Sequence, residues 1–381
     1  MEARQPRKAL GAQDAESVPV TVAQGQETHG ILNQHPGPVV PSNGISSTLP
    51  FRVGISEDCN KRWRRTMEDS HAFVYDFGGV PGQGFFGIFD GHAGKHAAEW
   101  CGQNFHTYLL ETLSSSSGQA VPDLLNKTFH AVDKQLSNVA REKGTTSGCT
   151  AVVAFLRLED ESGQASSPVV TGSPSTDGKA SKRQSAASGA SSEGLWGRLS
   201  RRFDGNSDSK NSKQDAQPPQ SKHLNSAQAS SSSRRVLYTA NVGDARAVLC
   251  RGGTAVRLTY DHKGSDAQEA KRITDAGGFV MNNRVNGVLA VTRSLGDSAM
   301  KEFVVGSPYT TETVLGDDDS FLIVACDGLW DVTEDQEAID LVRDEQDPQK
   351  ASQMLLEHAM ANFSTDNTSV MVIRFHSPTS A

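Results

Sequence analysis

Gly84-Phe-Phe-Gly-Ile-Phe-Asp-Gly-His-Ala-Gly-Lys-His96 is the most informative stretch of this 381-residue chain. Phe85, Phe86, Ile88 and Phe89 make a short apolar run with aromatic character, the pattern of a buried strand. The run stops at Asp90-Gly91-His92, and Ala93-Gly94 leads into a helical pattern from Lys95 to Leu113. A carboxylate, a glycine and a histidine therefore sit together where a buried strand ends. The carboxylate can point out of the sheet and hold a metal. Glycine lets the backbone approach a ligand closely, and histidine trades a proton near neutral pH. An ordinary Asp-Gly turn looks the same locally; the rest of the chain separates the two readings.

Residues 1–50 are rich in Gln, Pro, Gly and Ser without sustained periodicity and read as a disordered tail. Order begins at Phe51-Arg-Val-Gly-Ile55, an edge-strand pattern, followed by strand-like Ala72 to Phe77. Helical spacing runs from Lys95 to Leu113 and again from Val121 to Arg141. Cys149 to Leu156 reads as a buried strand. Composition then changes abruptly: residues 159–235 are dominated by Ser, Gln, Gly, Asp and Lys. A strand runs in at Leu156 and another leaves at Val236 to Val242, so this is read as a disordered insertion inside one domain, 51–375. Loop closure costs grow only logarithmically with length, so a sheet tolerates it.

Beyond the insertion, strands are predicted at Ala245–Arg251 and Thr254–Thr259, joined by a Gly252-Gly253 hairpin turn. Others are predicted at Val285–Val291, Phe321–Cys326 and Ser369–Phe375. Helices are predicted at Ser265–Ala276 with Ser265 as N-cap, at Glu334–Arg343 and at Pro348–Met360. Hairpin-spaced strands with long helical pairs outside them predict an α+β fold, a four-layer α-β-β-α sandwich with two central, mostly antiparallel sheets.

Hydrophobic content is 36% and the formal net charge −8, which argues against general nucleic-acid binding. No apolar run approaches the roughly 18 residues that span a bilayer, and no signal-peptide or transit-peptide pattern opens the chain. Five cysteines without metal-ligand or CxxC spacing point to a reducing compartment, cytoplasmic and nuclear. Cys149, Cys250 and Cys326 read as small core residues.

Several acids share one property. Glu68 precedes a strand, Asp90, Asp244 and Asp327 follow strands, and Asp366 opens the last one. A buried acid at a strand end costs desolvation energy unless it is paired or bound to a cation. Several converging on one rim suggest a metal centre. Oxygen donors favour Mg²⁺ or Mn²⁺. Two such ions suit hydrolysis of a phosphate ester, by lowering the pKa of a water and neutralising phosphoryl charge.

Ten segments, in order, resemble one family. They are Arg64-Arg-Thr-Met-Glu-Asp-Ser-His71, Phe89-Asp-Gly-His-Ala-Gly94, Ser147-Gly-Cys-Thr-Ala151, Asn241-Val-Gly-Asp-Ala-Arg246, Asp261-His-Lys263, Ala276-Gly-Gly278, Arg284-Val-Asn-Gly287, Val291-Thr-Arg-Ser-Leu-Gly-Asp297, Ala325-Cys-Asp-Gly-Leu-Trp-Asp331 and Asp366-Asn-Thr-Ser-Val370. The family is the metal-dependent type 2C (PPM) protein serine/threonine phosphatases, and the resemblance covers 51–158 and 236–375. Trp63 to Asp69, Trp100-Cys-Gly and Val304 to Tyr309 resemble its fungal branch, which acts on stress-activated MAP kinases.

The resemblance implies roles. Asp90 would bridge two ions, Glu68 and the Gly91 carbonyl completing one, Asp327 and Asp366 the other. Asp244, Asp327 and Asp331 match a weaker third site. Asp69 would hold metal-bound water from outside the ligand sphere. Arg64 would bind the substrate phosphate, and His92 would protonate the departing serine or threonine oxygen. Asp297 matches a motif acid taken as structural. Gly264 departs from the pattern, since many relatives carry Pro there. Implied partners are phosphoprotein substrates, MAP kinases among them, with no nucleic acid or membrane, and a monomer. A catalytically dead scaffold would need lost ligands, and all are present. An unrelated carboxylate-metal hydrolase of small phosphate esters is the other alternative. Leu195-Trp196 beside Arg198–Arg202 reads as a docking motif or as disorder without a partner, and Lys182-Arg-Gln-Ser185 as a basophilic kinase site.

Overall fold

Alternation of side chains along the strands builds the layers. The computed structural model describes residues 29–30, 50–116, 118–160, 163–164 and 234–376. The expected tail and insertion fall mostly outside the described residues, as do Leu195-Trp196 and Lys182–Ser185.

In chain order the strands before the insertion are β1 (His29–Gly30), β2 (Phe51–Asp58), β3 (Ser70–Tyr75), β4 (Gly84–Phe89), β5 (Gly91–His92), β6 (Gly148–Cys149) and β7 (Ala151–Glu159). Helices α1 (His96–Ser115) and α2 (Val121–Lys143) lie between β5 and β6. After it come β8 (Arg234–Val242), β9 (Arg246–Arg251), β10 (Thr254–Arg257), α3 (Ala267–Asp275), β11 (Val280–Met281), β12 (Arg284–Val285), β13 (Leu295–Gly296), β14 (Tyr309–Val314) and β15 (Asp319–Ala325). The chain closes with α4 (Asp327–Trp330), α5 (Asp335–Val342), α6 (Pro348–Ala361) and β16 (Thr368–Phe375).

One sheet has the order β1-β3-β4-β7-β8-β14 and the other β10-β9-β15-β16-β2, with antiparallel neighbours throughout. In β4, Phe85 and Phe89 face α1 and α2, where they pack with Phe105, Leu109, Phe129 and Val132. Phe86 and Ile88, on the opposite face, pack with Ile55, Leu249, Leu322 and Ile373 of the second sheet. That sheet's other face carries Val248, Phe321, Ile323 and Val372 against Ile339, Val342 and Leu355 of α5 and α6. Three cores therefore separate four layers, as the sequence predicts. Each buried phenylalanine is worth roughly 3–5 kcal/mol against truncation to alanine. Gly84 is required by packing: a Cβ there would lie 2.7 Å from the Phe51 ring.

Several predicted elements shift. The Val285–Val291 strand is only Arg284–Val285. Asn286 (φ +50°) and Gly287 (φ +72°) turn the chain, and the Val285 N–H donates to the Leu289 carbonyl at 2.8 Å. The Cys149–Leu156 run is split at Thr150, whose N–H donates to the Asp90 carbonyl at 2.8 Å. The N-cap of α3 is Asp266 rather than Ser265, its carboxylate accepting from the N–H groups of Gln268 and Glu269. β1 and β14 have no counterpart in the sequence reading, and β1 falls within the residues expected to form the disordered tail.

Candidate metal centre and phosphate site

Strand register brings the acids to one rim. Ser70 pairs with Phe89, so Glu68 and Asp69 before β3 lie beside Asp90 after β4. Ala325 pairs with both Val370 and Arg246, so Asp327, Asp366 and Asp244 share the matching edge of the other sheet. The two edges meet at Asp69, whose Oδ2 accepts from Ser369 Oγ at 2.8 Å.

Electrostatics record the convergence. Burial raises the Asp90 carboxyl well above its usual range, and the charges of Asp327, Asp69, Asp244 and Asp366 add to this. Burial likewise raises Asp327, helped by Asp244, Asp366 and Asp331. Burial pushes Asp69 up to about 6, against the hydrogen bond from Ser369. Oδ1 of Asp69 and Oδ1 of Asp327 are buried without a hydrogen-bond partner. Orphaned buried carboxylate oxygens among mutually repelling acids fit a bound cation. The donors are oxygens, which suits a hard divalent ion. Cys326 Sγ lies within 4.8 Å of ligand atoms of Asp69 and Asp90. Burial, then the charges of Asp69, Asp90 and Asp327, push that thiol up.

Gly91 has a steric reason. A Cβ there would stand 2.3 Å from the Glu68 carbonyl oxygen, so only glycine lets β5 cross so close to the Glu68 backbone. The Glu68 carboxylate accepts from the Gly94 N–H at 3.0 Å and from Thr66 Oγ1 at 3.1 Å. Its backbone N–H donates to Asn367 Oδ1 at 2.8 Å. Asn367 Nδ2 in turn donates to the carbonyls of Cys59 at 2.8 Å and Thr66 at 3.1 Å. Arg64 is about half exposed and ion-paired with Asp366. Burial raises Asp366, and the Arg64 guanidinium pulls it back.

His92 Nε2 lies 2.7 Å from Asp297 Oδ2. Asp244 and Asp331 flank Lys263, whose Nζ is 2.9 Å from Asp331 Oδ1 and 3.8 Å from Asp244 Oδ2. Burial pushes Asp244 up to about 6; Lys263 opposes this and Asp331 adds to it. A cleft of about 270 Å³ opens here, lined by Asp244, Lys263, Asn283, Arg284, Asp327 and Asp331. Gly264 on its wall is also forced, since a Cβ would meet the Asn283 carbonyl oxygen at 2.2 Å.

Every residue given a site role from sequence thus lies on or beside this rim. The sequence reading gives no site role to Asn367 or Lys263 and reads Cys326 only as a small core residue, though all three lie within quoted motifs. It gave Asp297 a structural role only. Their partners are distant in sequence, so the motif position was the one available signal.

The protein phosphatase 2C family profile matches residues 53–160 and 174–368. Protein phosphatase 2C homolog 1 of Schizosaccharomyces pombe is 40% identical over 329 residues, 86% of this chain and 74% of that protein. Protein phosphatase 2C homolog 1 of Saccharomyces cerevisiae is 39% identical over 325 residues, 85% of this chain and 94% of that protein. The fold is shared with a serine-threonine phosphatase 2C from Toxoplasma gondii. That structure superposes with a TM-score of 0.59 at 17% identity, covering 95% of this chain and 99% of that one. A profile match over more than half of the chain, joined to these two relatives, shows that the chain belongs to the protein phosphatase 2C family of metal-dependent protein serine/threonine phosphatases.

Proposed function

We propose that this chain hydrolyses phosphoserine and phosphothreonine on protein substrates with two divalent cations, Mg²⁺ or Mn²⁺, and a weaker third. The observation that carries this is the cluster of buried, mutually repelling carboxylates with orphaned oxygens on Asp69 and Asp327. Glu68, Asp90 and the Gly91 carbonyl would hold one ion, and Asp90, Asp327 and Asp366 the other. Asp244, Asp327 and Asp331 would hold the third, and Asp69 would orient water. When bound, the cations supply positive charge for the phosphoryl oxygens and make hydroxide available near neutral pH. Arg64, half exposed on the rim, binds the phosphate through paired guanidinium N–H groups. His92 gives its proton to the departing serine or threonine oxygen, which is too basic to leave as an alkoxide.

We further infer phosphoprotein substrates of stress signalling, MAP kinases among them. The resemblance of Trp63 to Asp69, Trp100-Cys-Gly and Val304 to Tyr309 to the fungal branch of the family supports this. So do exposed Lys61, Arg62 and Arg65 beside Arg64, cations suited to a second negative group near the phosphate. A monomer acting in cytoplasm and nucleus, without nucleic acid or membrane, agrees with the net charge of −8 and with all five cysteines being free. No helix among the described residues is long and apolar enough to cross a membrane.

The test is turnover of a phosphothreonine peptide by the purified protein with Mg²⁺ or Mn²⁺, then with EDTA. Activity should need the metal. Asp90→Asn and Asp327→Asn should each lose ~10²-fold or more in kcat while keeping native circular dichroism. Near-normal turnover of either variant at saturating Mn²⁺ would overturn the assignment.

A further inference from the structure

We propose that Asp297 is a positioning residue for the reaction. It holds His92 by Nε2, so that Nδ1 is the ring nitrogen that serves the leaving oxygen. This rests on the reading of His92 as proton donor.

The two residues are 205 positions apart and meet through a small three-stranded sheet, β13-β6-β5. His92 on β5 pairs with Gly148 on β6, and Gly148 pairs with Gly296 on β13, just before Asp297. The middle strand would ordinarily put a side chain between imidazole and carboxylate. At Gly148 it has none, and an added Cβ would lie 2.2 Å from Asp297 Oδ2 and 2.4 Å from its Cγ. The glycine therefore makes the 2.7 Å Nε2–Oδ2 contact possible.

The carboxylate is held from the other side as well. Asp297 is buried, with 8% of its side chain exposed, and Ser294 Oγ donates to the same oxygen. Its backbone is left-handed at φ +45°, a costly conformation for a residue with a side chain. That conformation is braced by the Met300 N–H on the Asp297 carbonyl at 2.8 Å and by the Gly296 N–H on Asp133 Oδ1 of α2 at 2.9 Å. Lys301 Nζ completes the brace, 2.8 Å from Asp133 Oδ1 and 2.9 Å from the Ser294 carbonyl. A turn so constrained offers the carboxylate in one place.

The chemistry follows from the ring's two nitrogens. Nε2–H donates to Asp297, and Nδ1 has no hydrogen-bond partner among the described residues. The imidazole is partly open, with 23% of its side chain exposed. As the P–O bond to serine or threonine breaks, the Nδ1 proton passes to the departing oxygen. The Nε2 proton stays on the ring against Asp297, water supplies the oxygen that joins phosphorus, and solvent later restores the Nδ1 proton. A ring tied at Nε2 is biased to one orientation with Nδ1 free for the substrate, the same orienting logic by which a buried carboxylate serves a catalytic histidine elsewhere.

The test compares kcat on a phosphothreonine peptide and on p-nitrophenyl phosphate for wild type, Asp297→Asn, His92→Gln and the double variant. A nitrophenolate leaves without a proton donor. Asp297→Asn should slow the peptide by about 10–10²-fold and the aryl phosphate by less than about threefold. In the His92→Gln background it should add nothing on the peptide. Nitrogen-15 NMR of the His92 ring in the wild-type protein should show Nε2 protonated, with a downfield, slowly exchanging Nε2–H lost in Asp297→Asn. Equal slowing of both substrates by Asp297→Asn, full additivity with His92→Gln, or a wild-type ring protonated at Nδ1 alone would overturn the dyad while leaving His92 as donor. Equal slowing of both substrates by His92→Gln itself would remove the donor reading, and the dyad with it.

Discussion

His262 shows how one residue ties stability to pH in this chain. Its backbone N–H donates to the Gly243 carbonyl at 2.9 Å, and its Nδ1 lies 3.2 Å from the same oxygen. Burial, and then the charge of Arg293, lower its pKa from 6.5 to about 4; Glu269, the Gly243 carbonyl and Asp261 pull the other way and lose. The folded value lies below the unfolded one, so between pH 6.5 and 4 the unfolded chain binds the extra proton. The contribution is complete above pH 6.5 and is lost as pH falls toward 4, by ~3 kcal/mol in all. Unfolding midpoints in urea across that range should therefore fall more steeply for wild type than for His262→Gln. Identical slopes would place the acid sensitivity elsewhere.

At the scale of an element, the loop from Cys59 to Thr66 is a fixed platform. Asn60, itself left-handed at φ +52°, donates through Nδ2 to the carbonyls of Ser364 at 2.7 Å and Asp366 at 3.2 Å. Its carbonyl accepts the N–H groups of Trp63 at 2.8 Å and Arg64 at 3.0 Å. Asn367 holds both ends of the loop through Cys59 and Thr66. The exposed Arg62 guanidinium lies over the Trp63 ring, 5.3 Å from its centroid. Cations fixed beside Arg64 should read charge next to the phosphate. A phosphothreonine peptide with acidic neighbours should show a KM about 3–10-fold below that of a neutral one, an advantage that shrinks with salt. Arg62→Glu with Arg65→Glu should abolish the difference and leave kcat nearly unchanged. If wild type treats the two peptides alike, the platform has no such role.

The whole molecule is closed by two strands that the inserted segment separates in sequence. β7 and β8 pair residue by residue from Ala151↔Val242 to Glu159↔Arg234. Buried Glu159 latches this end: Oε1 accepts from the Tyr238 hydroxyl at 2.7 Å and Oε2 from Arg234 Nη2 at 2.9 Å. Deleting residues 165–230 and bridging with a short flexible linker keeps the latch and lowers the closure cost by ~1–2 kcal/mol. The deletion should melt at or slightly above the wild-type temperature and turn over phosphopeptide within about threefold of it. A variant that fails to fold would mean the segment carries structure that the core needs.

The central strands of the two sheets were legible because burial on alternate faces writes a local pattern, as in Phe85, Phe86, Ile88 and Phe89. The acids at the strand ends were legible for the same reason, each lying next to an apolar run. β14 was not, because Tyr-Thr-Thr-Glu-Thr-Val is an edge strand with no fully buried side chain. The strand expected to continue past Arg284 ends because Asn286-Gly287 sits inside the apolar run and turns it. Local pattern carried the layer architecture and the set of carboxylates, with Arg64 and His92 beside them. Which residue each one touches is set by the fold. Asp297 against His92, Asn367 against the Glu68 backbone and Lys263 between Asp244 and Asp331 depend on strand register and loop closure across long stretches of chain. Periodicity reports a residue's face and its burial; it carries no information about a partner two hundred residues away.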